Sequence, residues 1–522
     1  MNYLFTAAGG PGHSGIGLPF RRWRGSAGNA LPVPHTQCRE NHLQLYAIVA
    51  LLALFALSCG QNSPESDAAG SGERQLESPD IQIQIQGAPA GTAYLIGSFA
   101  DQNYRADSAQ IDAAGAFRFQ REEPYKPGLY YAFYSNNGAF QVMIDADQTF
   151  SMAANADDVV GSMQVSGSLD NELLYKNLQY EAMMQPRFQA AAQKMQGAAV
   201  GSPAYLQAKA EQDELIAQRK AHLREIFDSH PDAFFTKFKT AGQNPDVRDI
   251  RKPDGTEDTT AQVYRYRTEF WDNVDFSDER LLSTPVIFNK LKRYMNDLTP
   301  QHPDSINQAA SFLVDKVLDY PEYFKFFANW IVLQYEPTKT TLMDPEAVFV
   351  HMAQNYFTYD RAFWSDSAEI YAIQLRANEM AGSLVGHKAP DVQAQGPDGK
   401  TYAISAIKSP YVIVYMFNPD CEHCQEQSPQ LVQFYRQWKN QGVEVFGIGV
   451  DTNTEDWKAY LKKTGMDAWP NVFDATNKAI YGKYYVDITP EIYVLNPERT
   501  IIAKNLKVNQ IAEVIERDRR ER

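Results

Sequence analysis

Cysteine is scarce in this chain: Cys38, Cys59, Cys421 and Cys424 are the four among 522 residues. So few cannot hold a chain of this length together as a disulfide framework, and each needs its own explanation. Basic charge is also in deficit, with 49 Lys and Arg against 64 Asp and Glu and a formal net charge of -15. A nucleic-acid binder needs Lys and Arg to displace condensed counterions, so nucleic acid is set aside as a partner. No repeat of fixed period is evident in the long stretch after Ser168. What the chain has in quantity is apolar and aromatic side chain: 44% of residues are hydrophobic, with 28 Phe and 29 Tyr. That is the composition of folded domains, and at this length two to four of them are expected.

From Leu45 to Ser58 runs LYAIVALLALFALS, too short for a comfortable transmembrane helix but suited to a signal-peptide apolar region. Ala56-Leu57-Ser58-Cys59 resembles a bacterial lipobox, which implies that Cys59 becomes the lipidated first residue after the leader, Cys38 included, is removed. An uncleaved anchor with Cys59 as a bystander is the alternative. Either way the bulk of the chain is expected outside the cytoplasm, and the lipobox reading makes it a membrane-anchored lipoprotein of the cell envelope facing the periplasm. Residues 1–59 are read as leader, with a Gly- and Pro-containing prefix long enough to suggest a true start further along. Residues 60–78, rich in Ser, Gly, Ala and charge, are read as a flexible tether.

Three folded regions follow. In residues 79–167, Ile81 to Gln86 alternates apolar and polar strictly, and Ala93–Phe99, Ala116–Gln120, Leu129–Tyr134 and Gln141–Ile144 are similar short runs. With turn signals at Ala114-Gly115 and Asn137-Gly138, the region reads as an antiparallel β-sandwich or barrel. Residues 168–382 read as mostly α-helical, opening with a hairpin of Asn171–Met195 and Pro203–Phe227. Its aromatic stretch, Tyr320 to Tyr335, has the spacing of a core-facing stripe. Residues 383–522 alternate strand and helix. Tyr411–Phe417 and Val443–Val450 are unbroken apolar runs, as expected of strands covered on both faces, with helices over Gln425–Asn440 and Glu455–Lys463. Such a βαβα order predicts parallel strands and a right-handed crossover; Glu491–Leu495 and Thr500–Lys504 then pair, and Asn509–Arg517 closes an α/β domain.

Cys421-Glu422-His423-Cys424 stands between a buried strand and the start of a helix, where free backbone N–H groups and the helix dipole favour an anion. The anion here is a thiolate, the nucleophile of disulfide exchange, and at helix starts a C-x-x-C thiol can fall from a pKa of about 8.5 to roughly 3.5–7.5. Cys421 is expected to attack, and Cys424 to resolve the mixed disulfide from one turn away. A protonated His423 would stabilise the thiolate, whereas Glu422 and Asp420 would oppose it, so the sign of their combined effect stays open.

Gly386-His387-Lys388-Ala389-Pro390-Asp391, Asp398-Gly399-Lys400, Cys421-Glu422-His423-Cys424 and Thr489-Pro490 before EIYVLN together resemble the TlpA/ResA-like thioredoxin family. The resemblance covers about residues 383 to 518. It implies a thioredoxin fold, a redox-active Cys421–Cys424 disulfide, and a cis Pro490 that, with Thr489, offers backbone groups to substrate. It also implies thiol-disulfide oxidoreductase activity on envelope proteins, with protein thiols or disulfides as substrates and an upstream thiol redox partner. Two positions depart from the family: Asp420 replaces the Trp common before the first cysteine, and Gln427 an acidic residue six positions after it. Glu426, His423 or water are the remaining proton carriers. Residues 81–380 resemble the accessory β and helical domains of some multidomain envelope lipoproteins.

No cofactor is called for, and zinc is disfavoured because Cys421, His423 and Cys424 lack a fourth ligand or a second pair. A peroxiredoxin-like peroxidase would share the fold and the 386–391 opening, but would carry Thr where Asn418 stands. The alternative of another class is a non-enzymatic binding or scaffolding lipoprotein, in which the thioredoxin-like domain only supports the regions ahead of it.

Overall fold

A computed structural model describes residues 76–135, 138–337, 339–473, 483–486 and 488–522. The expected leader, Cys59, nearly all of the tether and Asn137 of the expected turn lie outside them. Among the described residues no helix is long and apolar enough to cross a membrane.

Among the described residues eight strands make up the β region: β1 (Asp80–Gln86), β2 (Gly91–Phe99), β3 (Gln102–Ile111), β4 (Ala116–Gln120), β5 (Gly128–Phe133), β6 (Ala139–Ile144), β7 (Thr149–Asn155) and β8 (Gln164–Ser166). They form two four-stranded sheets, β4-β1-β7-β8 and β3-β2-β5-β6. In β1 the three isoleucines are buried and the glutamines between them exposed, as period two requires. β3 and β7 went unread in the sequence: β3 is mostly exposed and therefore polar, and β7 mixes Ser and Ala into its alternation. The expected antiparallel arrangement holds for every pairing but one, β1 with β7, which is parallel. Between those two strands the chain passes through the other sheet, so β7 returns beside β1 running the same way. The Ala114-Gly115 turn needs its glycine, because φ there is +83° and a Cβ would sit 2.1 Å from the Ile85 carbonyl oxygen.

Among the described residues nine helices follow: α1 (Leu169–Gln196), α2 (Pro203–Ser229), α3 (Phe234–Ala241), α4 (Thr259–Glu269), α5 (Pro285–Asn296), α6 (Pro303–Asp315), α7 (Pro321–Gln334), α8 (Glu346–Tyr356) and α9 (Ser367–Ala381). Ser168 caps α1 by accepting the Asn171 N–H, and α1 and α2 form the expected hairpin. The aromatic stripe on α7 is core: Tyr323, Phe324, Phe327 and Ile331 are buried in one apolar cluster that runs from the sandwich into the helices. Sandwich and helices therefore share a core.

The C-terminal region opens with a two-stranded ladder, β9 (Gln393–Gln395) and β10 (Thr401–Ala403). Then come β11 (Tyr411–Phe417), α10 (Glu422–Trp438), β12 (Val443–Gly449), α11 (Thr454–Thr464), β13 (Asn471–Phe473), β14 (Glu491–Leu495), β15 (Ile501–Lys504) and α12 (Ile511–Glu521). The sheet order is β13-β12-β11-β14-β15. β12 runs parallel to β11, as expected, and β14 antiparallel to it. β11, the central strand, is buried at all seven positions, because separate apolar clusters cover its two faces. The three-residue edge strand β13 was too short to read from sequence. The helical region meets this domain at Arg376, whose Nε donates to the Tyr485 hydroxyl at 3.0 Å, and Ser383, the domain's first residue, donates its hydroxyl to the Tyr484 carbonyl at 2.9 Å.

Candidate functional site

β11 delivers the chain to the C-terminal edge of the sheet, where Asn418 to Asp420 turn it into α10. The Asn418 side chain shapes the turn: its Oδ1 accepts the Asp420 N–H at 2.8 Å and its Nδ2 donates to the Asp451 carbonyl at 3.1 Å. Cys421 is the N-cap of α10, so its sulfur occupies the place of a capping oxygen and accepts the Cys424 N–H at 3.3 Å. The helix starts three residues earlier than its sequence suggests because the cysteine itself caps it. Cys424, one turn on, faces inward with Ser428, Leu431, Val432 and Tyr435, the buried stripe of α10.

Opposite Cys421 lies the Thr489–Pro490 segment, with its peptide bond cis. The Cys421 thiol donates to the Thr489 carbonyl at 3.0 Å. Both cysteines are reduced, with Cys421 half-buried and Cys424 fully buried.

That difference separates their acidities. Burial by itself raises the Cys421 thiol, but hydrogen bonds from the Cys424 thiol and N–H, the Thr489 side chain and the His423 N–H outweigh it and hold the thiol below its ordinary range. Burial and the Cys421 neighbour push Cys424 up to about 12. Glu422 and His423 both point to solvent from the first turn of α10, and His423 acts on Cys421 through its peptide N–H. Gln427 turns away, its Oε1 accepting the Val508 N–H at 3.1 Å.

Beneath Cys424 lies a feature that sequence reasoning missed. Ser428 bridges two buried phenols, its hydroxyl 2.9 Å from those of both Tyr415 and Tyr460. Phe417 stacks between the two tyrosine rings at 5.6 Å from each. The available signal was Ser428 four residues after Cys424, on the same helix face, with a hydroxyl-bearing ring, Tyr415, in the interior of the YVIVYMF run.

Residues 385–505 match the AhpC/TSA family, and residues 80–174 match a domain of unknown function, DUF4369. The C-terminal domain is thioredoxin-like. Its sequence is similar to that of the thiol-disulfide oxidoreductase ResA of Bacillus subtilis, at 26% identity over 117 residues, which is 22% of this chain and 64% of that protein. The match thus spans less than two thirds of this relative's length. Among solved structures, a thioredoxin-like protein from Bacteroides caccae aligns with 52% of this chain and 97% of its own, at 18% identity and a TM-score of 0.43. The thioredoxin domain of a thiol-disulfide oxidoreductase from Bacteroides vulgatus aligns with 26% of this chain and 96% of its own, at 25% identity and a TM-score of 0.24.

Proposed function

We propose that this protein is a thiol-disulfide oxidoreductase that acts on protein thiols or disulfides of the cell envelope through a Cys421/Cys424 dithiol-disulfide cycle. The observation that carries the reading is the asymmetry of the pair. A helix-capping thiol of lowered pKa stands beside the Thr489–Pro490 segment, and a buried thiol of raised pKa stands one turn behind it.

In the reducing direction, the Cys421 thiolate attacks a substrate disulfide, forming a mixed disulfide and releasing one substrate thiolate. Cys424 then loses its proton and attacks Cys421 Sγ, which closes the intramolecular disulfide and frees the second substrate thiolate. Two electrons pass to the substrate, whose two sulfurs leave as thiols once protonated, and an upstream thiol partner restores the dithiol. Oxidation of a substrate dithiol is the reverse sequence. Thr489 and Pro490 line the approach of the incoming chain. Anchoring through a lipid on Cys59 would hold the domain at a periplasm-facing membrane surface.

The test is the reduction potential of the full-length protein equilibrated in glutathione or dithiothreitol buffers, with Cys421→Ser as control. A value near about -270 mV marks a reductant, and one near about -120 mV an oxidant. If the pair forms no reversible disulfide in any buffer, the redox reading fails and a binding or scaffolding role replaces it. The AhpC/TSA match favours one second reading, peroxide reduction at Cys421, which catalytic consumption of hydrogen peroxide by the reduced protein would reveal.

A further inference from the structure

On the sheet face away from α10, the thioredoxin-like domain buries charge. Side chains alternate along β14, so Ile492 and Val494 face α10 while Glu491 and Tyr493 face the other way. Lys504, paired in register with Tyr493 on β15, shares that face, its ammonium 5.2 Å from the Tyr493 ring centroid. The Tyr493 hydroxyl donates to the Glu491 carboxylate at 2.5 Å.

The helical region supplies the remaining carboxylates. Glu346 Oε2 lies 3.4 Å and Asp344 Oδ1 3.8 Å from Lys504 Nζ. Asn505 donates to both Glu346 oxygens at 3.2 Å, and the Val385 N–H to Asp344 Oδ2 at 2.8 Å. Asp344 and Lys504 are each 1% exposed, Glu491 3% and Glu346 7%. Two carboxyls thus meet one ammonium, and a third, Glu491, joins them through the Tyr493 hydroxyl and ring, in an interior where unpaired charge is costly, an arrangement that fixes geometry more than it adds stability.

One end of this cluster abuts the candidate redox site. Glu491 directly follows Pro490 and Thr489, and the Thr489 carbonyl accepts the Cys421 thiol. We propose that Asp344 and Glu346 are positioning residues for the redox pair: acting through Lys504 and Glu491, they hold the Thr489–Pro490 segment of the thioredoxin-like domain against Cys421. The helical region is then part of the machinery that sets Cys421 reactivity, not a spacer ahead of it. This inference rests on the dithiol reading above.

The experiment measures the rate of Cys421 alkylation by iodoacetamide at pH 7 in the full chain, for the wild type and Glu346→Gln, with far-UV circular dichroism to confirm folding. The Thr489 side chain is among the groups that hold the Cys421 thiol low, so a loosened segment that withdraws it leaves less thiolate, and the variant is expected to react about three-fold or more slowly. Removing a carboxylate by electrostatics alone has the opposite sign, since it favours the nearby anion and speeds the reaction. An unchanged or faster rate in folded Glu346→Gln therefore overturns the proposal. Should that variant not fold, Asp344→Asn decides by the same criterion. Glu181→Gln, which breaks an ion pair with Arg219 in the α1–α2 hairpin, is the control expected to match the wild type. If wild-type Cys421 itself shows no enhanced reactivity, the dithiol reading fails; if only the variants disappoint, the positioning role alone does.

Discussion

Because Cys424 is pushed up to about 12 from an ordinary value of 9.0 while Cys421 is lowered, the reduced pair has one reactive thiol and one silent thiol. At pH 7 a thiol of pKa 12 is ionised to about one part in 10⁵, roughly a thousand-fold less than an unperturbed one. Only the thiolate reacts with iodoacetamide. Reduced protein sampled between pH 6 and 9, quenched in acid and mapped by peptide mass spectrometry should therefore carry label on Cys421 long before any appears on Cys424. In Cys421→Ser, Cys424 should stay slow, because burial is the leading cause of its shift and survives the substitution. Comparable labelling of both cysteines in the wild type, or free-thiol reactivity of Cys424 in the variant, would refute the assignment of attacking and resolving roles.

Ser428→Ala strips both buried tyrosine hydroxyls of their shared partner and should cost about 1–3 kcal/mol in denaturant unfolding. Gly115→Ala should be as damaging, about 1–3 kcal/mol from its backbone conformation alone, since φ is +83° and the Ile85 carbonyl blocks the new methyl group. A pH dependence follows from Asp344, whose carboxyl burial pushes up to about 6 despite Lys504. A carboxyl raised in the folded state contributes stability that is full below about 4 and lost as pH rises through about 6. Relative to the wild type, Asp344→Asn should accordingly gain up to about 3 kcal/mol between pH 4 and 7, read from paired unfolding curves. A constant gap between the curves would show that Asp344 ionises normally.

Local pattern alone settled several elements. Strict alternation in IQIQIQ fixes a half-buried strand whatever its partners, and YVIVYMF is apolar at every position but for its two phenols, so it suits only a strand covered on both sides. The placement of Cys421-Glu422-His423-Cys424 between that run and an amphipathic helix was readable for the same reason: strand end, turn and helix start are all local. Sequence was weaker wherever the pattern is diluted by solvent exposure, as in β3, or by brevity, as in β13.

Tertiary structure decided the rest. The parallel pairing of β1 with β7 depends on the route the chain takes through a second sheet. The contrast between Cys421 and Cys424 comes from burial, which no C-x-x-C spacing encodes. Ser428 meets Tyr415 and Tyr460 only because α10, β11 and α11 pack together, and Glu346 meets Asn505 across 159 residues. Sequence thus determined which residues can do thiol chemistry and on which element they stand. Folding determined their protonation and their neighbours, because desolvation and hydrogen bonding act through space between groups the chain keeps far apart.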